Sequence, residues 1–395
     1  MKIKIIMGSL ILVLTAFAGN GFGWTETSFA TYFGIGAGQN STGSNNTFIG
    51  VQTGYDLNTG SQNTFLGYFA GHFNMSGSNN NFIGYNAGYA NHAGSYNNFF
   101  GVEAGFYNDA GLANTFIGYR AGYENEDSDY NSFIGHNAGR NNNGGSYNNF
   151  IGSYAGYGNT TGQYNNIIGH WAGYNADTGH HNNIIGYYAG VKNTGGYNVF
   201  IGSWAGHDNT TGSGNVFLGY GAGANETGSN KLYISNSDTS TPLIYGDFSA
   251  GTVVINGKIT LQSSREVKDE IESLTAKEAL EALEGLRPVT FVYKADRTER
   301  HAGFIAEDVP ELVATKDRKG VNPMDIVTVL AKVVQEQQGR IREQQGLIKE
   351  QRKTAEEQQG LIQRLAREQE NMVRQQREIV SAHEEKIARL EKLLA

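Results

Sequence analysis

Pairs of large apolar residues recur along the first part of the chain at a fixed spacing. Eleven such pairs run from Phe48-Ile49 to Phe217-Leu218, and every step between them is 17 residues except one of 16. Each pair is followed at once by Gly, and an Asn stands two residues before its first member. A fixed period of this length is typical of stacked repeat units, each of which buries its apolar side against its neighbours.

The composition of the repeat favours strands over helices. The unit reads approximately N-x-F-I-G-x-x-A-G-Y-x-N-x-x-G-S-x, with a weaker first copy from Tyr32 to Gly38. Short aromatic and β-branched runs between Gly and Asn predict strands of three to five residues joined by tight turns. We therefore expect a mainly β protein with a β-solenoid or β-roll over residues 24–230. Glycine would supply positive φ at the corners, and Asn bonded to Asn in the next coil would form an internal ladder.

The apolar pairs also predict how the solenoid is covered. Neighbouring residues of a strand point to opposite faces, so only one member of a pair such as Phe150-Ile151 lies in the core. The other members form an apolar stripe along the outside, and exposed stripes of this size mark interfaces. Three chains meeting along an axis would cover the stripe, and packing against a capping segment is the alternative. The pattern favours a homotrimer.

Beyond residue 230 the pattern changes. Residues 231–262 alternate apolar and polar positions around turns, which predicts a β-rich neck. Residues 263–334 combine a helix that begins at a capping box, Thr275 with Glu278, and two strand-like runs at 286–293 and 301–310. They predict a small α+β domain.

Residues 335–395 show a seven-residue repeat. The sequence E-Q-Q-G begins at Glu336, Glu343 and Glu357, and an apolar position recurs at Ile341 and Ile348. Repeats of seven with an apolar seam are typical of coiled coils. Isolated helices of this length need packing, so a C-terminal α-helical coiled coil is predicted rather than a single solvated helix.

Composition divides the chain near residue 262. Residues 263–395 carry 23 Lys and Arg and 25 Asp and Glu, whereas residues 1–262 carry 7 and 13 and hold 48 of the 54 glycines. The net charge is −8 and the repeats have no basic stripe, which argues against nucleic acid as a partner. Without cysteine there is no disulfide and no Cys-based metal site.

The repeats also lack a pattern typical of a cofactor or metal site. The acidic cluster at 124–129 lacks the spacing of a calcium loop, and His180-His181 lacks a partner at zinc spacing. Paired acids for glycan cleavage are missing as well. We expect no cofactor and no metal.

Residues 1–18 have the layout of a secretory signal peptide. Lys2 and Lys4 precede an apolar run that ends at Ala16-Phe17-Ala18. Cleavage is expected after Ala18, with Gly23 as the other site; an uncleaved anchor helix is disfavoured because the run is short for a bilayer. We expect the mature chain to be secreted or at the surface of a Gram-negative bacterium, without membrane insertion.

The repeats resemble the head repeats of bacterial trimeric adhesins, in which short N-x-x-x-I-G strands and A-G corners coil into a roll and three rolls associate. The resemblance covers roughly residues 30–230, and the 17-residue unit is longer than the unit of those heads. It implies an adhesin-like homotrimer with an unknown surface receptor or fibre-anchoring protein as partner.

Three later segments resemble the auto-processing intramolecular chaperone domain of phage endosialidase tailspikes and other tail fibres. They are S-S-R-E-V-K-D-E-I at 263–271, L-R-P-V-T-F-V-Y at 286–293 and G-F-I-A-E-D-V at 303–309. Such domains trimerise, promote folding of the β-structure before them and cut themselves off with a Ser-Lys dyad. By position, the resemblance implies Ser263 as nucleophile, Lys268 as base and His301 as an orienting group.

The sequence departs from that family at Ser264, Glu266 and Glu307, where the family pattern has Asp, Arg and Gln. These changes put cleavage in doubt more than the fold. A serine needs a base to remove its proton, and a lysine acts as that base only where burial or nearby positive charge lowers its pKa well below ~10.4. Assembly could provide the burial.

We expect attack at the Gln262–Ser263 bond, with Ser263–Ser264 as the second choice. Cleavage would separate residues 19–262 from 263–395, at the boundary where composition changes. The chain is thus predicted to be an exported trimeric fibre whose C-terminal domain templates folding and acts once in cis as a serine endopeptidase. The alternative is a purely structural or adhesive fibre with a non-cleaving trimerisation chaperone.

Overall fold

The computed structural model describes residues 30–56, 59–294 and 297–394, so the predicted signal peptide at 1–18 lies outside the described residues. The chain forms two compact units, Met1–Thr260 and Leu261–Ala395. The first unit is the β-solenoid expected from the 17-residue period, and the second is a small α/β region followed by a long helix. The predicted fold class is confirmed, while the coiled coil stays a prediction.

Twelve three-residue strands, β1–β12, form the solenoid. They are Thr31–Phe33, Thr47–Ile49, Thr64–Leu66, Asn81–Ile83, Asn98–Phe100, Thr115–Ile117, Ser132–Ile134, Asn149–Ile151, Asn166–Ile168, Asn183–Ile185, Val199–Ile201 and Val216–Leu218. Each pairs in parallel with the next, and equivalent repeat residues face each other, as Phe116 faces Phe133 and Ile117 faces Ile134. The run of parallel strands is the consequence of one strand per coil.

The core of each coil is small, with an aromatic ring in ten coils and an isoleucine in the coils of Ile167 and Ile184. The first member of each apolar pair points inward, so Phe133 and the corner alanine Ala138 are both fully buried. Successive core rings stack almost parallel, with 4.7 Å between the centroids of Phe133 and Phe150. Each coil therefore buries its ring mainly against the rings of its two neighbours.

A glycine follows each strand because the backbone there requires it. Gly135 has a φ of 143°, and a Cβ at this position would meet the carbonyl group of Gly152 in the next coil. This φ lies in a region that side-chain-bearing residues rarely occupy. The glycine that recurs after every strand is thus explained by contact between coils.

Two ranks of buried asparagines complete the interior. In the first rank, the backbone N–H of Asn131 donates to Asn114 Oδ1 at 2.8 Å, and Asn131 Nδ2 donates to the Gly145 carbonyl at 2.8 Å. In the second rank, Asn142 Nδ2 donates to Asn125 Oδ1 at 3.0 Å. The predicted asparagine ladder is confirmed, and the second rank doubles it. The ladders satisfy polar groups that burial would otherwise leave unpaired.

The neck continues the solenoid sheet. Strand β13, Lys231–Ile234, pairs in parallel with β12, and then β14, Ile244–Asp247, and β15, Thr252–Ile255, add antiparallel strands. Lys231 and Asp247 form an ion pair between β13 and β14, and this pairing lowers the pKa of Asp247. The switch from parallel to antiparallel ends the run of identical coils.

The second unit is built on two helices. Helix α1, Ala276–Gly285, begins at the predicted capping box, and helix α2 runs from Pro323 to Leu394. A two-stranded antiparallel sheet, β16 at Val289–Phe291 and β17 at His301–Gly303, lies between them in sequence. A short 3-10 helix spans Glu311–Val313. The buried core is Ala279, Ala282, Val309, Val313, Val329 and Val333.

Candidate active site

Ser263 and Lys268 lie on either side of a single 3-10 turn, Arg265–Val267. Ser264 caps the turn, because its Oγ accepts a hydrogen bond from the backbone N–H of Glu266 at 3.2 Å. The backbone N–H of Lys268 donates to the Arg265 carbonyl and closes the turn. The turn draws together two side chains that are five residues apart.

The two predicted site residues are in direct contact. Lys268 Nζ lies 2.7 Å from Ser263 Oγ and donates a hydrogen bond to it. A nucleophile and its base are expected at this separation. Base catalysis needs a neutral lysine amine that accepts the serine proton. The geometry meets the distance requirement for a nucleophile and its base.

The surroundings of this pair are open. All residues from Gly251 to Ser273 are exposed, and among them are five large apolar side chains that are more than half exposed. These are Val253, Ile259, Leu261, Val267 and Ile271. Within the described part of the single chain, neither Ser263 nor Lys268 is buried. Water around an ammonium group favours its charged form, so the single chain does not provide the desolvation that a lysine base needs.

His301 lies on β17, where its partner in the sheet register is Phe291. Its ring centroid is 5.2 Å from that of Tyr293 and 6.0 Å from that of Phe291. In the ranges that the structure covers, it makes no hydrogen bond with Ser263 or Lys268. The structure brings two of the three named residues together, and the orienting role of His301 stays a prediction.

Glu307, one of the departures from the family pattern, has a structural partner. Lys319 Nζ donates to Glu307 Oε1 at 3.1 Å, and the neighbouring Arg318 donates to the carbonyls of Glu307 and Val309. A hydrogen bond from the backbone N–H of Glu307, followed by that from Lys319, lowers the pKa of the Glu307 carboxyl. The ion pair of Glu307 with Lys319 thus links the segment after β17 to the turn before α2.

Sequence reasoning missed an acidic groove in the second unit. The groove has a volume of about 610 Å³, and its walls include Glu272, Glu278 and Glu281 over an apolar floor of Leu274 and Leu312. Hydrogen bonds from the side chain and then the backbone of the capping residue lower the pKa of Glu278. The lining comes from segments far apart in sequence. In the sequence, the groove is indicated only by the spacing of Glu278 and Glu281, which are three residues apart and therefore share a face of α1.

Two further observations concern metals and membranes. Among residues 30–56, 59–294 and 297–394, no group of three or more His, Asp or Glu side chains is placed to hold a metal ion. No helix in these ranges combines the length and the apolar character that crossing a bilayer requires. Neither the acidic cluster at 124–129 nor His180-His181 forms such a group.

Comparison with known proteins gives one match. Residues 263–316 match the family model described as chaperone of endosialidase, and the match begins at Ser263. No curated protein and no solved structure matches the chain. The matched domain and the 12-coil solenoid together suggest a homotrimeric protein of tail-fibre type, with repeats and an intramolecular chaperone, that is extracellular or phage-associated.

Proposed function

We propose that the chain is an exported trimeric fibre whose C-terminal unit templates assembly and then cuts itself off at Ser263. The observation that carries the proposal is the 2.7 Å contact between Lys268 Nζ and Ser263 Oγ at the first residue of the family match. Ser263 is the nucleophile and Lys268 is its base. The reaction is a single event in cis rather than turnover of an outside substrate.

The chemistry favours cleavage of the Gln262–Ser263 bond. Lys268 Nζ, as a neutral amine, takes the proton from Ser263 Oγ, and Oγ bonds to the carbonyl carbon of Gln262 through a five-membered ring. The bond from this carbon to the Ser263 nitrogen breaks, and the nitrogen takes up a proton. Water then hydrolyses the ester, which leaves a carboxylate on Gln262 and restores the serine hydroxyl. Attack of the same hydroxyl on its own carbonyl would need a four-membered ring, which disfavours cleavage at Ser263–Ser264.

Assembly supplies the missing desolvation in this proposal. The dyad lies in an exposed segment that carries Ile259, Leu261, Val267 and Ile271 on its surface. Burying these side chains against other copies would remove water from Lys268 and favour its neutral form. Cleavage would then follow assembly, so that only completed fibres lose their chaperone.

The long helix supports the trimeric part of the proposal. Helix α2 has 72 residues, which is about 108 Å at 1.5 Å per residue. Its apolar seam is at least half exposed in the single chain at Ile341, Ile362, Met372 and Ile379. A helix of this length with an uncovered seam is stabilised by partner helices, and we assign residues 335–395 to a coiled coil between copies.

Export is the remaining part of the proposal. It depends on the signal peptide at residues 1–18, and the fibre would be presented outside a Gram-negative cell. The surface receptor or the protein that anchors the fibre is a partner that the chain does not identify.

Mass spectrometry of the full-length chain after expression tests the self-cleavage. We expect a fragment that begins at Ser263, and its loss in Ser263→Ala and in Lys268→Arg, since arginine keeps the charge but does not give up its proton. Ser264→Asp is the matched control, because it removes the adjacent hydroxyl and keeps a side-chain oxygen that can cap the turn between the dyad residues. A folded trimer of uncut chains would contradict self-cleavage and leave the alternative, a structural or adhesive fibre with a non-cleaving chaperone.

A further inference from the structure

One face of the solenoid is free of charge along its whole length. We call it the sheet face and define it by three outward ranks of residues: the first residue of each strand, the last residue of each strand, and the residue two positions after the strand. The last residues form the apolar rank. They are Phe33, Ile49, Leu66, Ile83, Phe100, Ile117, Ile134, Ile151, Ile168, Ile185, Ile201 and Leu218.

The two ranks that flank the apolar rank contain no Asp, Glu, Lys or Arg. The first residues of β1–β12 are Thr, Asn, Ser or Val. The rank after the strands holds Ile35, Val51, Tyr68, Tyr85, Val102, Tyr119, His136, Ser153, His170, Tyr187, Ser203 and Tyr220. Many large side chains of the sheet face are exposed. Ile134 of the apolar rank is 36% exposed, and Tyr85 of the rank after the strands is 47% exposed.

Charged residues are confined to the other sides of the coils. Residues 30–230 contain thirteen: Asp56, Glu103, Asp109, Arg120, Glu124, Glu126, Asp127, Asp129, Arg140, Asp177, Lys192, Asp208 and Glu226. None of them belongs to the three ranks, although the Arg120 guanidinium lies over the ring of Tyr119 at the edge of the face, 5.1 Å from its centroid. Charged residues are depleted from the centres of protein interfaces because burying them is costly. Their absence here is what a face that becomes buried would require.

A neighbouring aromatic surface does not have this character. The ladder Tyr55, His72, Tyr89, Phe106 and Tyr123 runs along a corner, with successive ring centroids 4.8–5.3 Å apart. The next member of this ladder is Arg140, whose guanidinium lies over Tyr123 and Tyr157. An arginine therefore belongs to the corner ladder itself, whereas the three ranks of the sheet face contain none, so we do not assign the corner to an interface.

We propose that the sheet face is where the solenoids of neighbouring copies of this chain pack against each other, in parallel and in register. The inference deepens the proposed trimeric assembly and rests on it. The argument for a second copy is the axial period: the apolar rank repeats once per coil over twelve coils. A partner with another period would lose register within a few coils, whereas a parallel copy matches at every coil.

The size of the face sets how much it can contribute. Twelve coils at about 4.8 Å give a length of about 55 Å, and the three ranks span about 13 Å at 3.3 Å per residue, so the area is about 700 Å² for each copy. A trimer divides this area between two neighbours, so each sheet-face contact is smaller than the roughly 800 Å² that each partner buries in a stable interface, and it adds to the contact between the long helices. Around a three-fold axis parallel to the solenoid, equivalent residues lie at the same height, and those nearest the axis meet their equivalents in the other copies. Ile134 belongs to the central rank of the face, so it is expected close to Ile134 of the neighbouring copies.

The absence of cysteine from the chain makes a direct test possible. Ile134→Cys places one thiol on the sheet face, and Asn143→Cys places one in the same coil on an exposed turn. Each full-length variant is treated with a short bismaleimide and run on a denaturing gel. We expect most of the Ile134→Cys chains to form cross-linked pairs, with at least a tenfold lower yield for Asn143→Cys.

A third variant, Leu365→Cys, reports assembly of the long helix independently. Cross-linking of Leu365→Cys without cross-linking of Ile134→Cys would overturn the sheet-face inference and leave the trimer standing. That result would also be the outcome if the face bound another partner, such as a glycan. If neither Leu365→Cys nor Ile134→Cys forms cross-linked pairs, the proposed assembly itself is overturned. Equal cross-linking yields for Ile134→Cys and Asn143→Cys would show that the chains cross-link by random collision rather than by packing of the sheet face, and would overturn the inference.

Discussion

The solenoid and the C-terminal unit differ in where their large apolar side chains are covered. In the solenoid, Phe133 is fully buried by the coils above and below it in the same chain. In the C-terminal unit, Leu261, Val267 and Ile362 are more than half exposed. The inward side chains of the solenoid are covered within one chain, whereas these C-terminal side chains, like the outward apolar rank of the solenoid, are exposed in the single chain. The difference is between a core that repetition completes and surfaces that the proposed assembly would cover.

The largest effect is expected from a glycine that the stacking of coils requires. Gly135→Ala puts a Cβ against the next coil at a φ of 143°, so we expect a loss of about 5 kcal/mol from strain and overpacking together. Trp171 and Trp204 lie in the solenoid, so tryptophan fluorescence during denaturation reports on this unit.

Gly144→Ala is the matched control in the same coil. A Cβ there would have its nearest neighbours at 3.5 and 3.7 Å, which is ordinary contact. We expect a change within about 0.5 kcal/mol, or a slight stabilisation through the unfolded chain. Equal losses for the two variants would show that the coils are not packed as described.

The next effect compares two adjacent residues of one strand. Phe133→Ala removes a fully buried ring and should cost about 3–4 kcal/mol in the same fluorescence measurement. Ile134→Ala, on the sheet face, should cost less than about 1.5 kcal/mol in the stability of the single solenoid and should weaken association between copies instead. A larger loss for Ile134→Ala in a dilute, dissociated sample would reverse the assignment of the two faces.

The smallest effect concerns a gap in the second asparagine rank. Among the residues that the structure describes, Asn159 Oδ1 is buried without a hydrogen-bond partner, and Ala176 occupies the equivalent position in the next coil. Ala176→Asn should supply the missing donor and stabilise the solenoid by about 1 kcal/mol. Asn142→Ala, which makes a similar gap between Asn125 and Asn159, should destabilise it by about 2 kcal/mol. A loss of stability in Ala176→Asn would mean that the coil cannot accommodate the longer ladder.

The repeat made most of the solenoid predictable. Strict alternation in a strand assigns Phe133 to the core and Ile134 to the outside, and the Asn two residues before Phe133 is a ladder residue because it recurs at every coil. The charge-free sheet face was harder to see, because it appears only when residues 17 positions apart are aligned as neighbours. The second asparagine rank depends likewise on contacts between coils.

The C-terminal unit was less predictable from its own residues. The pairing of Ser263 with Lys268 came from a family resemblance, and its physical cause is the 3-10 turn at Arg265–Val267, which a spacing of five does not specify. The acidic groove joins Glu272 to Leu312 through tertiary contacts that no local pattern records. The β-rich neck was expected, but its change from parallel to antiparallel pairing depends on the turns after β13.

The most direct test of the central claim is the intact mass of full-length chains separated by size. We predict that the trimer of the wild-type chain contains residues 263–395 as a separate fragment that begins at Ser263. The double variant Ile348→Asp with Ile362→Asp, which places charges in the helix seam, should be monomeric and remain uncut although Ser263 and Lys268 are unchanged. A cut monomer, or an uncut and folded wild-type trimer, would contradict the claim that assembly activates self-cleavage.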